Sequence, residues 1–266
     1  MEVLGYGCAV IIGLILGLIG GGGSILSVPV LAYLYHLDAV TATAYSLFVV
    51  GCTSAVGSVG YFKARQVRLS TALWFGLPSL LGVIFSRRLV VPHLPHYIIH
   101  RWGITLTKDM FLLLVFAVLM LLAAYKMIAA ASISPTSAKP SAARTTLLIS
   151  QGLLVGIVTG LIGAGGGFLI VPALVMLLGL KMKEAVGTSL FIIAINSLIG
   201  FASSLDSLSI RWTFLLTFTA LSILGISIGL MLAKRIDGKR LKPLFGWLVL
   251  VMGIYIIIKE LLLTSR

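Results

Sequence analysis

Long uncharged apolar stretches constrain the fold of this chain more than any other feature. Residues Leu147 to Leu180 run for 34 positions without a charged side chain, and Met110–Tyr125 and Pro243–Ile258 are also uncharged. A helix needs roughly 20 mostly apolar residues to cross a bilayer. The chain is 59% apolar and only 10% charged, whereas about a quarter of a soluble domain is charged. The sequence therefore predicts an all-α polytopic membrane protein with the lipid bilayer as its surroundings.

Basic residues give the chain a net charge of +13, which could suggest a nucleic-acid partner. They stand, however, in short clusters between the apolar segments, as topology-setting loop residues do. The clusters are Lys63/Arg65/Arg68, Arg87/Arg88, Lys181/Lys183 and Lys234/Arg235/Lys239/Arg240/Lys242. We therefore expect no nucleic-acid partner and interpret these residues as loop charges.

The two halves of the chain are copies of one unit. The segment GLILGLIGGGGSILSVPVL at Gly13–Leu31 returns as GIVTGLIGAGGGFLIVPAL at Gly156–Leu174, an offset of 143 positions (156 minus 13). The offset continues without a gap, so that Ser46-Leu47-Phe48 falls on Ser189-Leu190-Phe191. Glycines and prolines in register are not explained by apolar composition, and a repeat of this kind indicates a duplicated fold.

Each copy is expected to contain a glycine-broken hairpin followed by three membrane helices. The predicted domains are a first repeat at 1–131, a polar linker at 132–143 and a second repeat at 144–266. The long helices are predicted at about 39–62, 69–90 and 109–131, and at 183–205, 211–233 and 243–263.

The relative orientation of the two repeats depends on what the glycine run does. If it only kinks one crossing, the repeats are parallel and the loop charges divide almost evenly between the two sides. If it is the tip of a hairpin, the repeats are inverted and the side with the linker is the more basic. The positive-inside rule favours inverted repeats, with the linker cytoplasmic and the N-terminus outside.

The two glycine runs are the strongest functional signal. Glycine costs about 1 kcal/mol relative to alanine inside a helix, so a run of glycines breaks it. Backbone groups freed within a bilayer must be satisfied by protein, water or ligand, and the N-terminus of the next helix attracts anions. The predicted substrate-binding glycines are Gly21, Gly22, Gly23, Gly165, Gly166 and Gly167. Close helix packing is the alternative, and we prefer it for the small-xxx-small pairs Gly13/Gly17 and Gly156/Gly160.

Hydroxyl and amide side chains near the glycine runs could complete an anion site. The predicted ligands are Ser24, Ser46, Ser189 and Asn196, of which Ser46 and Ser189 occupy matched positions. Ser54 and Ser197 are a second matched pair. Each could instead bond a backbone carbonyl or join two helices.

Charged side chains give mainly negative information. All seven acidic residues fall at predicted helix ends or loops, so no carboxylate is placed as an intramembrane proton relay. Proton coupling would therefore have to use a residue at a helix end, such as Glu184 or Asp38. The histidines at 93, 96 and 100 are interpreted as a solvated loop. Arg68 and Arg211, matched across the copies, are interpreted as interfacial anchors. We expect no catalytic residue, metal or cofactor, and no enzyme activity.

The doubled pattern G-x3-G-x2-G-x-G-G-x5-P-x-L, followed by Ser-Leu-Phe, resembles the sulfite exporter TauE/SafE family over nearly the whole chain. The resemblance implies a secondary carrier in the cytoplasmic membrane for sulfite, thiosulfate or an organosulfonate. Ser24 matches Gly167, and Ala164 matches Gly21, so the two half-sites are not equivalent. A permease or channel for another anion and a non-transporting scaffold remain alternatives. The anion, the direction, the coupling ion and any homo-oligomer stay open.

Overall fold

The computed structural model describes residues 2–93, 97–101, 104–129, 142–163, 165–205, 210–235 and 238–263. Its helices are α1 (Glu2–Ile19), α2 (Gly22–Pro29), α3 (Ala39–Lys63), α4 (Leu69–Phe85), α5 (Val91–His93), α6 (Lys108–Ala129), α7 (Ala142–Ile162), α8 (Gly167–Leu178), α9 (Met182–Ala202), α10 (Trp212–Arg235) and α11 (Gly238–Leu263). A π-helical segment, Val30–Leu34, extends α2, and another, Ser86–Val90, joins α4 to α5. Strands β1 (Tyr97–Arg101) and β2 (Ile104–Thr107) form an antiparallel hairpin.

Four helices of the described chain are long and apolar enough to cross a membrane, namely Ala39–Lys63, Leu69–His93, Met182–Ala202 and Trp212–Ala233. Large apolar side chains also point away from the helix bundle. Examples are Trp74, Leu81, Leu154, Leu224 and Met231. A soluble monomer rarely exposes so much apolar surface, whereas lipid tails accept it. The predicted class, a helical membrane protein, is confirmed.

The predicted long helices agree with the structure within a few residues, apart from α11, which starts five residues earlier. The loop predicted around the three histidines is partly wrong, because His100 lies in β1. Both strands are rich in aromatic and β-branched residues, which favour extended backbone. His96 lies outside the described residues, as does the predicted linker except for Ala142 and Ala143, which begin α7.

Helices of one sequence copy pack on helices of the other: α1 on α10, α7 on α4, α3 on α9, and α6 on α11. Glycines at four positions allow α1 to pack closely on α10, and α7 on α4. A Cβ on Gly13 would overlap the carbonyl of Ser222, and a Cβ on Gly156 would overlap that of Ser79. Gly17 and Gly160 similarly lie against α10 and α4. The packing role predicted for these four glycines is confirmed.

The directions of the helices follow from residues that face each other. Gly200 lies against Leu47 and Gly187 against Tyr61, so α3 and α9 cross antiparallel at the centre of the molecule. Within the first copy, Gly23 packs against Leu16. Near the other end of α1, a Cβ on Gly5 would overlap the Tyr35 ring just beyond α2. The chain therefore folds back on itself at the first glycine run.

Candidate functional site

The two glycine breaks meet inside the helix bundle. A Cβ on Gly21 would overlap the backbone of Gly167, and a Cβ on Gly167 would overlap Gly21. Because α2 begins at Gly22 and α8 at Gly167, two helix N-termini converge at this contact. Glycine is required here, since Gly165 and Gly166 have φ values of 65° and 75°, a region that other residues rarely adopt.

The second break lies beside the central crossing of α3 and α9. At its start, Gly163 touches Thr43 in the first turn and a half of α3. Two residues later, a Cβ on Gly165 would lie 2.8 Å from both Val50 of α3 and Ser197 of α9. Gly163 and Gly165 therefore lie against α3 at successive positions along its length.

The predicted hydroxyl ligands near the breaks are buried and already bonded to protein. Ser24 Oγ donates to the carbonyl of Gly21 at 2.6 Å. Ser189 Oγ lies 3.1 Å from the carbonyl oxygen of Gly20 and 2.8 Å from that of Val186. These serines thus satisfy carbonyl groups that the glycine breaks release from helical bonding. Their predicted contact with an anion stays a prediction.

The other two predicted ligands join helices. Ser46 shares a hydrogen bond with Ser27, which links α3 to α2. Asn196 Nδ2 donates to Ser79 Oγ at 2.8 Å, which links α9 to α4. Both side chains are therefore bonded to neighbouring helices, and their role in anion binding stays a prediction.

Three other buried side chains carry polar atoms without a hydrogen-bond partner in the described part of the chain. They are Ser54 Oγ, Ser197 Oγ and the Nε and Nη2 atoms of Arg87. Ser54 and Ser197 occupy matched positions in the two copies (197 minus 54 is 143). Buried polar groups are almost always paired in folded proteins. Of these three, Ser197 and Arg87 lie at the second glycine break, where an unpaired donor can bond a ligand.

Arg87 is the site residue that the sequence analysis missed. The interpretation of Arg87 and Arg88 as loop charges holds for Arg88, which is exposed, and is wrong for Arg87, which is only 3% exposed. Both lie in the π-helical segment Ser86–Val90, whose wider turn changes the direction of successive side chains. A Cβ on Gly163 would overlap Arg87 Nη2, so the guanidinium reaches the second glycine break. The predicted helix at 69–90 already included Arg87, but this indicates only that the residue is helical and not that its side chain points inward.

The first break has different surroundings. The positions that match Thr43 and Arg87 are Val186 and Leu230. Gly20 packs against Val186, within an apolar cluster that also contains Ile226 and Leu230. The first residues of the two breaks, Gly20 and Gly163, have similar φ values of 76° and 70°. Thr43 and the cationic Arg87 lie beside the second break, whereas the two matched positions are apolar at the first break, where Ser24 and Ser189 bond its carbonyl groups.

Asp38 and Glu184, the two acidic residues considered as proton carriers, both have partners in the structure. Asp38 accepts a hydrogen bond from the backbone N–H of Thr41 at the start of α3. Glu184 forms an ion pair with Arg68 at 3.0 Å. Glu260 lies in the last turn of α11, as predicted, but is only 4% exposed and accepts a hydrogen bond from Tyr33 at 2.7 Å. Among the described residues, no group of three or more His, Cys, Asp or Glu side chains could hold a metal ion.

The matched arginines Arg68 and Arg211 each precede a membrane helix. The backbone N–H of Arg68 donates to Thr188 Oγ1, and that of Arg211 donates to the hydroxyl of Tyr45, which is the position matched to Thr188. Arg211 also lines an open cleft of about 530 Å³ beside Tyr6, Tyr35 and Phe214. The two contacts are therefore equivalent in the two copies.

Comparisons with known proteins agree with one another on a membrane transporter. The model of the family described as sulfite exporter TauE/SafE matches residues 6–256. A probable membrane transporter protein of Xylella fastidiosa (strain Temecula1) is 27% identical over 260 residues, which cover 96% of this chain and 94% of that protein. The probable membrane transporter protein YunE of Bacillus subtilis is 26% identical over 271 residues, covering 93% and 96%. No solved structure matches the chain.

Proposed function

The chain belongs to the sulfite exporter TauE/SafE family, and on that premise we propose that it is a secondary transporter for a small sulfur-containing anion. The cargo is sulfite, thiosulfate or an organosulfonate, carried across the cytoplasmic membrane by alternating access. The relatives bear transporter names, and their own cargo is not part of those names.

The observation that supports this proposal best is the convergence of two helix N-termini at the glycine breaks. Free N–H groups and the positive ends of helix dipoles bind anions without any charged side chain. Ser54 and Ser197 add hydroxyl donors that have no partner among the described residues. Because Gly21 and Gly167 touch, the anion binds beside that contact, in reach of both breaks.

We also infer that the two repeats, 1–131 and 144–266, are inverted. The antiparallel crossing of α3 and α9 supports this arrangement, and so does the hairpin that α1 forms with α2. The reciprocal packing of α1 on α10 and of α7 on α4 is the pattern expected of a two-fold axis in the membrane plane. Rocking of one repeat against the other then exposes the central site to each side in turn.

Proteoliposomes test the function directly. We expect saturable uptake of labelled sulfite or thiosulfate, inhibited by organosulfonates and accelerated by the same anion inside the vesicles. A channel would give neither saturation nor counterflow. Correctly inserted protein that moves none of these anions would contradict the proposal.

A glycine substitution tests whether the breaks are the site. Gly166→Ala and Gly179→Ala impose the same backbone strain, since the two φ values are 75° and 63°, but Gly179 ends α8 away from the break. The backbone strain costs roughly 1–2 kcal/mol for each. The Gly166 variant must also displace the Thr159 side chain, which the added Cβ would overlap, so uptake is compared at equal amounts of folded, inserted protein. We expect uptake to be lost in Gly166→Ala and retained in Gly179→Ala, and equal uptake in the two variants would contradict the site.

A further inference from the structure

Arg87 is a buried cation with no carboxylate partner among the described residues. Arginine stays protonated in proteins, so burial cannot be relieved by loss of a proton. Within the described residues, the carboxylate of Glu184 is paired with Arg68 and that of Glu260 is bonded by Tyr33. A buried charge without a partner is costly and is rarely kept without a use.

The unpaired atoms of Arg87 are those that bind oxyanions most specifically. Nε and Nη2 form one edge of the guanidinium, and their two parallel N–H groups match two oxygens of a carboxylate, sulfonate or phosphate. This edge has no partner in the described chain, and Nη2 reaches the backbone at Gly163. The guanidinium therefore lies at the second glycine break with its Nε–Nη2 edge unpaired.

The other groups around this break are donors or neutral. Thr43 lies against Gly163, and the unpaired Ser197 hydroxyl faces Gly165. The N-terminus of α8 follows directly at Gly167. Arg88 is exposed, and Arg87 is the only buried cation among the side chains whose exposure the structure describes.

We propose that the Nε–Nη2 edge of Arg87 binds the oxyanion head group of the cargo, and that the carrier takes one monoanion per chain. This inference rests on the proposed transport function and specifies its site. One cation neutralises one negative charge, so a monoanionic sulfonate fits better than a dianion such as sulfate or thiosulfate. Arg87 belongs to the first copy and its matched position in the second copy is Leu230, so the cationic residue is present once.

Anion binding to the purified full-length protein tests the proposal, with methanesulfonate as monoanion, sulfate as dianion and chloride as the ionic-strength control. We expect methanesulfonate to raise the melting temperature saturably and to bind at least tenfold more tightly than sulfate. Arg87→Met should weaken methanesulfonate binding by about tenfold or more, the effect of losing a charged hydrogen-bonding partner. Arg88→Met, one residue away and exposed, should bind as the wild type does.

Stability without ligand separates a binding role from a structural one. Arg87→Met removes an unpaired buried charge, so its unliganded melting temperature should equal or exceed that of the wild type. Arg87→Lys keeps the charge but loses the two parallel N–H groups, so it should bind methanesulfonate with intermediate affinity. A large drop in unliganded stability in both variants would assign Arg87 to structure and overturn the proposal.

The remaining outcomes distinguish this inference from the proposed function. Unchanged methanesulfonate binding in Arg87→Met would overturn the site while leaving transport by the wild type intact. Tighter binding of sulfate than of methanesulfonate would overturn the monoanion assignment. Arg87-dependent binding in a protein that moves no anion in vesicles would support the site and contradict the transport function.

Discussion

Two pairs of buried serines in this protein differ in what their hydroxyls bond. Ser24 and Ser189 donate to carbonyl groups freed by the first glycine break, and so they hold its backbone in place. Ser54 and Ser197 have no partner within the described structure, although no solvent reaches their hydroxyls. The first pair therefore stabilises the break, and the second pair has hydroxyls free to bond the cargo that we propose.

Ser197→Ala should weaken cargo binding without destabilising the fold. A hydrogen bond to a charged group contributes about 1.5–3 kcal/mol, so KM should rise roughly tenfold or more. The melting temperature should hardly change, because no intramolecular bond is lost. The control is Ser204→Ala on the segment just after α9, whose hydroxyl donates to the carbonyl of Gly200 at 3.1 Å. Flux assays and thermal unfolding in detergent measure both effects, and an unchanged KM in Ser197→Ala would remove Ser197 from the site.

Helix pairs depend on glycines at which two backbones come into contact. Gly13→Val should destabilise the protein by about 1–3 kcal/mol, the usual cost of overpacking, because its side chain would overlap the carbonyl of Ser222 in α10. Gly7→Val on the same helix is the matched control, since nothing lies within 4 Å of a Cβ at that position. Thermal unfolding of the two variants compares them, and equal melting temperatures would contradict the role assigned to Gly13.

The long helices could be predicted from sequence because their apolar length and their duplication are local properties. The packing of Gly13 and Gly156 could also be predicted, since small residues four apart mark close helix contacts. The inward direction of the Arg87 side chain could not be predicted, because it depends on a π-helical turn that no sequence pattern indicates. The bonding of Ser24 and Asn196 was equally hidden, since their partners are fixed only when the helices pack.

For the whole molecule, the arrangement of the repeats decides on which side each loop lies. With inverted repeats, the N-terminus and the inter-repeat linker lie on opposite sides of the membrane, whereas parallel repeats put both on the same side. In a chain whose Cys8 and Cys52 are replaced by alanine, a Glu2→Cys thiol should react in intact cells with a membrane-impermeant reagent. A Ser137→Cys thiol should be protected until the cells are opened. The same reactivity at both positions would contradict the inverted arrangement.

The unpaired guanidinium of Arg87 also has an electrical consequence. If it holds a monoanion, the binding site is neutral when occupied and carries one positive charge when empty. In a cell whose interior is negative, voltage then acts on the return of the empty carrier and not on the loaded step, with up to about 2.3 kcal/mol per elementary charge for each 100 mV crossed. That force draws the empty site back toward the cytoplasm, so the same arginine that binds the cargo would bias the cycle toward export.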